Sequence, residues 1–104
     1  MQTITKSTIL HTLAQHRSEI RGYGVKQIGL FGSFVRREER AESDIDLYVE
    51  FEPEEETFDN FMGLCFFLDE LFEGRKVEVV TQNGLSQYIG PKILKEVEYV
   101  AIAS

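Results

Sequence analysis

The sequence has 104 residues, of which 42% are apolar and 28% are charged, and its net charge is −7. This length predicts a single domain over residues 1–104, with a modest core and no room for a second domain. The acidic balance argues against a protein that binds long nucleic acid alone, because such proteins carry a basic patch or stripe.

The N-terminal segment is predicted to form a helix from Thr5 or Lys6 to about Ile20, with Thr3 or Thr5 as its N-cap. The first 20 residues contain no long apolar run, so we expect neither a signal peptide nor a membrane span, and the expected location is the cytoplasm. The run Gly22-Tyr23-Gly24 is predicted to end this helix and to lead into the first strand.

A strand from Val25 to Phe31 is predicted to end at a Gly-Ser pair. Gly32 permits a sharp turn and a close approach of the backbone to a ligand. Ser33 is the expected N-cap of a short helical segment, Phe34 to Glu38, and the unpaired N–H groups of a helix N-terminus suit a phosphate. Arg36 lies on the first turn, where it can pair with phosphate oxygens. Together these residues predict a phosphate-binding turn.

A second strand follows, and it has the period-two alternation of a half-buried strand. One face is apolar and the other is mainly polar: Ile45, Leu47, Val49 and Phe51 alternate with Asp44, Asp46, Tyr48 and Glu50. The Cβ atoms of Asp44 and Asp46 should be about 7 Å apart on one face, twice the rise per strand residue. Carboxylates at that separation can share hard cations, and paired metal ions serve in-line nucleotidyl transfer.

The segment from Glu50 to Glu56 is a sharply acidic turn, which is either a solvated loop or a docking patch for a basic partner. Thr57 to Glu73 is the strongest predicted helix. Its apolar residues form a stripe with a wide margin: Phe58, Phe61, Met62, Cys65, Leu68 and Phe72, widened by Leu64, Phe66, Phe67 and Leu71. A helix this apolar either packs into the core or presents a surface for a partner or a second copy, and both readings stay open.

In the C-terminal third, the sequence predicts a strand from Lys76 to Thr81, a helix from Lys92 to about Val97, and a last strand from Glu98 to Ala101. The third strand carries Glu78 on the face opposite Val77. The predicted architecture is α+β: a small mixed sheet of three or four strands with helices chiefly against one face. The functional side lies at the strand ends that carry Ser33, Asp44, Asp46 and Glu78.

Three elements together resemble the signature of the polymerase-beta-type nucleotidyltransferases. They are Gly32-Ser33, Arg36 and the run Ser43-Asp44-Ile45-Asp46-Leu47, with ten residues between the Gly-Ser pair and the first aspartate. The small size is most similar to the minimal nucleotidyltransferase (MNT) domain, over roughly Thr5 to Ala101. The resemblance implies two Mg²⁺ ions and ATP as the nucleotide donor. It assigns Asp44, Asp46 and, less securely, Glu78 as catalytic and metal-binding residues, and Gly32, Ser33, Arg36 and Ser43 as nucleotide-binding residues. The family usually has Asp where this chain has Glu78, and the added methylene shifts the carboxylate.

MNT domains often serve as the antitoxin beside a HEPN-domain ribonuclease toxin, and the resemblance therefore implies transfer of AMP to a toxin tyrosine. Two alternatives stay open. In the first, the chain is a catalytically inert antitoxin that acts by covering the toxin. In the second, it is a subunit that nucleotidylates a small molecule or an RNA end. The acceptor must come from another molecule, because 104 residues leave no room for an acceptor-binding domain.

Overall fold

The computed structural model describes residues 4–40, 43–85, 88 and 90–102. It contains five helices and four strands in those ranges, with a short 3₁₀ turn at Gln82–Gly84. In chain order they are α1 (Lys6–Gln15), α2 (Arg17–Gly22), β1 (Val25–Phe31), α3 (Ser33–Arg36), β2 (Ile45–Phe51), α4 (Phe58–Leu71), β3 (Val77–Thr81), α5 (Gly90–Glu96) and β4 (Glu98–Val100).

The four strands form one mixed sheet in the order β3-β2-β1-β4. β1 is antiparallel to β2 and β4, while β2 and β3 are parallel. A parallel pair needs a long crossover connection, and α4 supplies it between β2 and β3. The predicted α+β class with a small mixed sheet is therefore confirmed, with four strands.

Helices α1 to α4 pack against one face of this sheet in a single apolar cluster. Alternate strand residues meet residues of the helices there, as the strand period requires. The fully buried members include Ile9, Leu13, Ile20, Phe34, Leu64 and Leu68 from the helices and Ile28, Leu30, Ile45, Leu47 and Val49 from the strands. On the opposite face, Val97 follows α5 and occupies the space beside Gly29, where a Cβ would collide with its side chain. The expectation of helices chiefly on one face is confirmed.

The predicted first helix is two helices, because the chain breaks at His16 (φ −108°, ψ 23°). Its ring packs edge-on against Phe67 of α4, and its Nδ1 lies 3.0 Å from Oε2 of Glu19. The break thus falls at a residue that contacts another helix, in a pattern that looks continuous in sequence. Thr5 caps α1, with its side chain accepting the Thr8 N–H, whereas the alternative cap, Thr3, lies outside the described residues.

Helix α4 begins after Thr57, whose side chain accepts the N–H of Asn60 at 3.1 Å. The helix buries Leu64 and Leu68 but leaves two phenylalanines on the surface: Phe58 is 78% exposed and Phe66 is 63% exposed. The buried side of α4 is therefore centred on Leu64 and Leu68, and the predicted stripe was wrong to include Phe58, which lies outside the core. Among the described residues, none of the helices has the length and apolar character that crossing a membrane requires.

Candidate active site

The turn after β1 is built on Gly32, which has φ +84° and ψ −153°. A side chain is disfavoured in this conformation, and a Cβ at this position would collide with the carboxylate of Asp46. The antiparallel register pairs Phe31 with Asp46, so the end of β1 lies beside the start of β2. Glycine is therefore required here both by the backbone angles and by the neighbouring carboxylate.

Ser33 does not act as the predicted N-cap. Gly32 is the N-cap, without a side-chain hydrogen bond, and α3 runs only from Ser33 to Arg36 rather than from Phe34 to Glu38. The positive φ of Gly32 turns the chain into the helix one residue earlier than expected, and Arg37 ends it in a left-handed conformation with φ +59°. Ser33 consequently occupies the first helical position, directly after the turn.

Three carboxylates lie at adjoining strand positions on the face opposite the main core. Asp44 directly precedes β2, Asp46 lies within it, and Glu78 of β3 pairs with Asp46 in the parallel register. The intervening residues Ile45 and Leu47 point into the core with no exposed surface. The strand alternation thus brings Asp46 and Glu78 side by side, as the sequence predicts.

The electrostatics of this group centre on Asp46. Burial, followed by the charges of Glu78 and Asp44, raises the pKa of Asp46 from its ordinary value of 3.8 to about 6, against a lowering contribution from Arg36. Too little positive charge lies near this carboxyl group to offset its burial and the two neighbouring carboxylates. The site therefore favours a cation or a proton.

The donor chemistry suits Mg²⁺, although the side chains do not form a closed cage. Within residues 4–40, 43–85, 88 and 90–102, no three His, Cys, Asp or Glu side chains converge closely enough to hold a metal ion by themselves. Glu78 instead lies 3.3 Å from Nζ of Lys76. Mg²⁺ prefers oxygen ligands and is commonly bound by one or two carboxylates together with substrate phosphates and water. Asp44 and Asp46 fit that mode, in which a bound triphosphate completes the coordination.

Arg36 lies beside the same turn, with its guanidinium held by two acidic side chains. Its Nε donates to Oε1 of Glu38 at 2.6 Å, and its Nη1 donates to Oε1 and Oε2 of Glu96 at 2.9 and 3.2 Å. Oε2 of Glu96 also accepts the backbone N–H of Gly32 at 2.6 Å. Arg36, as expected, is close to the Gly-Ser turn, whereas no pattern in the sequence indicates the contact with Glu96.

Ser43 lies in the turn that leads into Asp44. Its Oγ accepts the N–H of Arg40 at 2.7 Å, and its carbonyl oxygen accepts a hydrogen bond from Nη1 of Arg75 at 2.8 Å. The Arg75 guanidinium also lies 5.5 Å from the ring centre of Phe34, within the range of a cation–π contact. Arg75 thus links α3 to the residue before Asp44, a second contribution that no local sequence pattern indicates. The predicted nucleotide-binding role of Ser43 stays a prediction.

The raised pKa of Asp46 makes stability depend on pH in the absence of metal. The folded state binds the proton more tightly than the unfolded chain, so this contribution is fully present below about pH 4 and is lost as the pH rises through about 6. Asp46→Asn removes the titrating group. We expect urea unfolding in EDTA to show the variant gaining stability relative to wild type across this interval. Equal pH dependence in both proteins would contradict the assignment.

A family model described as the nucleotidyltransferase domain matches residues 10–100. The chain is 38% identical over 101 residues to the protein adenylyltransferase MntA of Thermococcus cleftensis, covering 96% of this chain and all of the relative. It is 34% identical over 99 residues to MJ1379 of Methanocaldococcus jannaschii, a candidate protein adenylyltransferase, covering 92% of this chain and 98% of the relative.

Solved structures agree with this result. A candidate minimal nucleotidyltransferase superposes with a TM-score of 0.68 at 32% identity, over 86% of this chain and 93% of that chain. A chain in a crystal structure of a toxin–antitoxin with AMP-PNP has a TM-score of 0.62 at 21% identity, over 92% of this chain and 72% of that chain, a likeness that concerns the fold alone. The chain belongs to the nucleotidyltransferase domain family, as the Gly-Ser and Asp-x-Asp elements indicated, and is a nucleotidyltransferase.

Proposed function

We propose that this chain is an antitoxin that silences a HEPN ribonuclease toxin by Mg²⁺-dependent transfer of AMP from ATP to a toxin tyrosine. The observation that carries the proposal is the row of Asp44, Asp46 and Glu78 at adjoining strand positions beside the Gly32 turn. Further support comes from the relative named a protein adenylyltransferase, which this chain matches along the relative's whole length. A similar fold also occurs in a toxin–antitoxin structure that contains AMP-PNP.

Each residue has a distinct part in the proposed reaction. Asp44 and Asp46 would hold Mg²⁺, which supplies charge neutralisation for the triphosphate and lowers the pKa of the attacking hydroxyl when bound. Glu78, whose carboxylate lies against Lys76, is the proposed acceptor of the hydroxyl proton. Ser33 and Arg36 bind the β- and γ-phosphates and orient the leaving group. Gly32 lets the backbone approach them closely.

The transfer itself is an in-line displacement at the α-phosphorus of ATP. The tyrosine oxygen forms a bond to that phosphorus while the bond to the bridging oxygen of the β-phosphate breaks, and pyrophosphate leaves with the electron pair. Glu78 accepts the phenolic proton. Positioning and electrostatic stabilisation of the developing charge supply most of the acceleration in such a site.

The proposed partner surface is the outer face of α4. Phe58 and Phe66 are 78% and 63% exposed, and the neighbouring segment from Glu52 to Glu56 is acidic and exposed. An apolar face beside negative charge suits a partner with an apolar patch bordered by basic residues. A catalytically inert antitoxin that binds the toxin through this face is the alternative that the exposed phenylalanines favour.

Phe66→Glu tests this surface. We expect the variant to bind the partner at least about 100-fold more weakly, since an exposed aromatic anchor would be replaced by a charge. Thermal unfolding should be nearly unchanged, because Phe66 is mostly in water. Ser18→Glu on α2 adds the same charge at another exposed position and is expected to leave binding, measured by calorimetry, unaffected. Unchanged binding by Phe66→Glu would place the partner elsewhere.

The function is tested by intact-mass spectrometry of the protein encoded next to this chain, after incubation with this chain, MgCl₂ and ATP. We expect the partner to gain the mass of one or more AMP groups, with peptide mapping to a tyrosine. The Asp44→Ala/Asp46→Ala variant should give no gain, whereas Glu19→Ala/Glu73→Ala, which removes two exposed carboxylates, should match wild type. A silenced partner without added mass would favour the inert antitoxin.

A further inference from the structure

We infer that Glu96 is a positioning residue for the phosphate-binding turn: its carboxylate holds the Gly32 backbone and the Arg36 guanidinium in one fixed arrangement. The inference rests on the proposed function for the identity of the ligand, a nucleotide triphosphate. The arrangement itself is a property of the folded chain and can be tested without the ligand.

The contacts of Glu96 join two groups that are four residues apart in the chain. Oε2 accepts the N–H of Gly32 at 2.6 Å, while Oε1 and Oε2 lie 2.9 and 3.2 Å from Nη1 of Arg36. Hydrogen bonds to an ionised acceptor are among the strong ones in proteins. Burial raises the pKa of Glu96, but the Gly32 N–H and then Arg36 outweigh it and keep this pKa below its ordinary value. The carboxylate is therefore charged when it makes these contacts near neutral pH.

Arg36 is fixed at two edges of its guanidinium. Glu38 accepts a hydrogen bond from Nε and Glu96 accepts one from Nη1, whereas Nη2 carries two further N–H donors. The Glu38 carboxylate is 64% exposed, while that of Glu96 is only 16% exposed. Because the less exposed partner is also the one bonded to Gly32, Glu96 sets the orientation of Arg36 relative to the turn. A side chain ordered in advance loses less conformational entropy when a ligand binds.

Glu96 is itself anchored to the sheet by its neighbours. Val97 donates its N–H to the carbonyl of Ile93, closing the last turn of α5, and it packs into the space beside Gly29. Glu98 pairs with Leu30 of β1, two residues before Gly32. The carboxylate thus reaches Gly32 from the last residue of α5, two residues before β4, which is hydrogen-bonded to β1.

The opposite role would be that of an internal competitor, with the Glu96 carboxylate occupying the place of a phosphate. The two roles predict opposite effects on nucleotide affinity when the Glu96 carboxylate is removed. Glu96 adds negative charge near Asp46, whose pKa it contributes to raising, so its charge alone opposes the binding of an anion. Removing a competitor would strengthen nucleotide binding, whereas removing a positioning residue weakens it despite the loss of a negative charge.

The first measurement is ligand-free NMR of wild type, Glu96→Gln and Glu96→Ala. In Glu96→Ala we expect the Arg36 Nη1 protons to exchange with water about tenfold faster and the Gly32 amide proton to shift upfield, since both groups lose an ionised acceptor. Glu96→Gln keeps the size of the side chain and a carbonyl acceptor, so the Gly32 shift should be partly retained. Glu98→Ala, which removes the neighbouring carboxylate bonded to Lys6, is the matched control and should leave both signals unchanged.

The second measurement is calorimetric titration with AMP-PNP and MgCl₂. Glu96→Ala should bind about tenfold more weakly, with Glu96→Gln intermediate, but in an Arg36→Ala background the same change should have less than about a threefold effect, because coupled residues are not additive. Unchanged or tighter binding by Glu96→Ala, or NMR signals that do not respond, would overturn the inference. If wild type bound no AMP-PNP while the NMR signals responded as expected, the nucleotide function would fail and the positioning by Glu96 would stand.

Discussion

Replacing Asp46 with Asn is expected to lower the rate of AMP transfer by at least about 10³-fold while making the metal-free protein more stable near neutral pH. The loss of rate follows because Asn removes the charge that would hold Mg²⁺, and such an ion supplies several kcal/mol of stabilisation to the transition state. The gain in stability follows because Asp46 is charged at a pH where burial, Glu78 and Asp44 all oppose that charge.

Initial rates and urea unfolding in EDTA measure the two effects on the same preparations. Glu73→Gln, beyond the end of α4, is the matched control, because it removes the charge of an exposed carboxylate and should change neither quantity appreciably. Retention of more than about a tenth of the rate would show that Asp46 is dispensable, since one tenfold step is only 1.36 kcal/mol. A less stable variant would show that the carboxylate makes favourable contacts in the metal-free fold.

Gly32→Ala is expected to lower both stability and activity. Alanine at φ +84° and ψ −153° costs about 1–3 kcal/mol of backbone strain. Its Cβ would also collide with the Asp46 carboxylate, which must then move. Displacement of a reacting group by about 1 Å can cost about 100-fold in rate, and we expect a loss of at least that size.

Gly22→Ala is the matched control for this substitution. Gly22 ends α2 with open space where a Cβ would lie, so alanine there should leave stability unchanged or raise it by up to about 1 kcal/mol. Urea unfolding and AMP-transfer rates of both variants test the difference. Equal behaviour of the two variants would mean that neither the positive φ of Gly32 nor its contact with Asp46 matters.

Strong local patterns made much of the fold predictable. β1 has the predicted bounds, Val25–Phe31, and the period-two alternation that begins at Asp44 predicted the start of β2 to within one residue. The same alternation predicted that Glu78 faces away from the core, and the parallel pairing of β2 with β3 then brings it beside Asp46. These features depend on neighbouring residues along the chain, where a single sequence carries its clearest information.

Features that depend on tertiary contacts were missed or placed wrongly. The break at His16 coincides with a contact to Phe67, 51 residues later by the sequence numbering, which helical periodicity does not encode. Phe58 belongs to an apolar stripe by spacing, yet it lies at the N-terminal end of α4 beyond the reach of the sheet core. Glu96 is 64 residues from Gly32, and a single acidic residue near the end of a helix gives no signal of such a contact.

Transfer of a nucleoside monophosphate is tested by following the two ends of the triphosphate separately. The chain, MgCl₂ and the neighbouring-gene protein are incubated with ATP that carries radioactive phosphorus at either the α or the γ position. Label from the α position, but not from the γ position, should appear on the partner's tyrosine, and it should be absent with Asp44→Ala/Asp46→Ala. Label transferred from the γ position, or α label that persists in that variant, would contradict nucleotidyl transfer at this site.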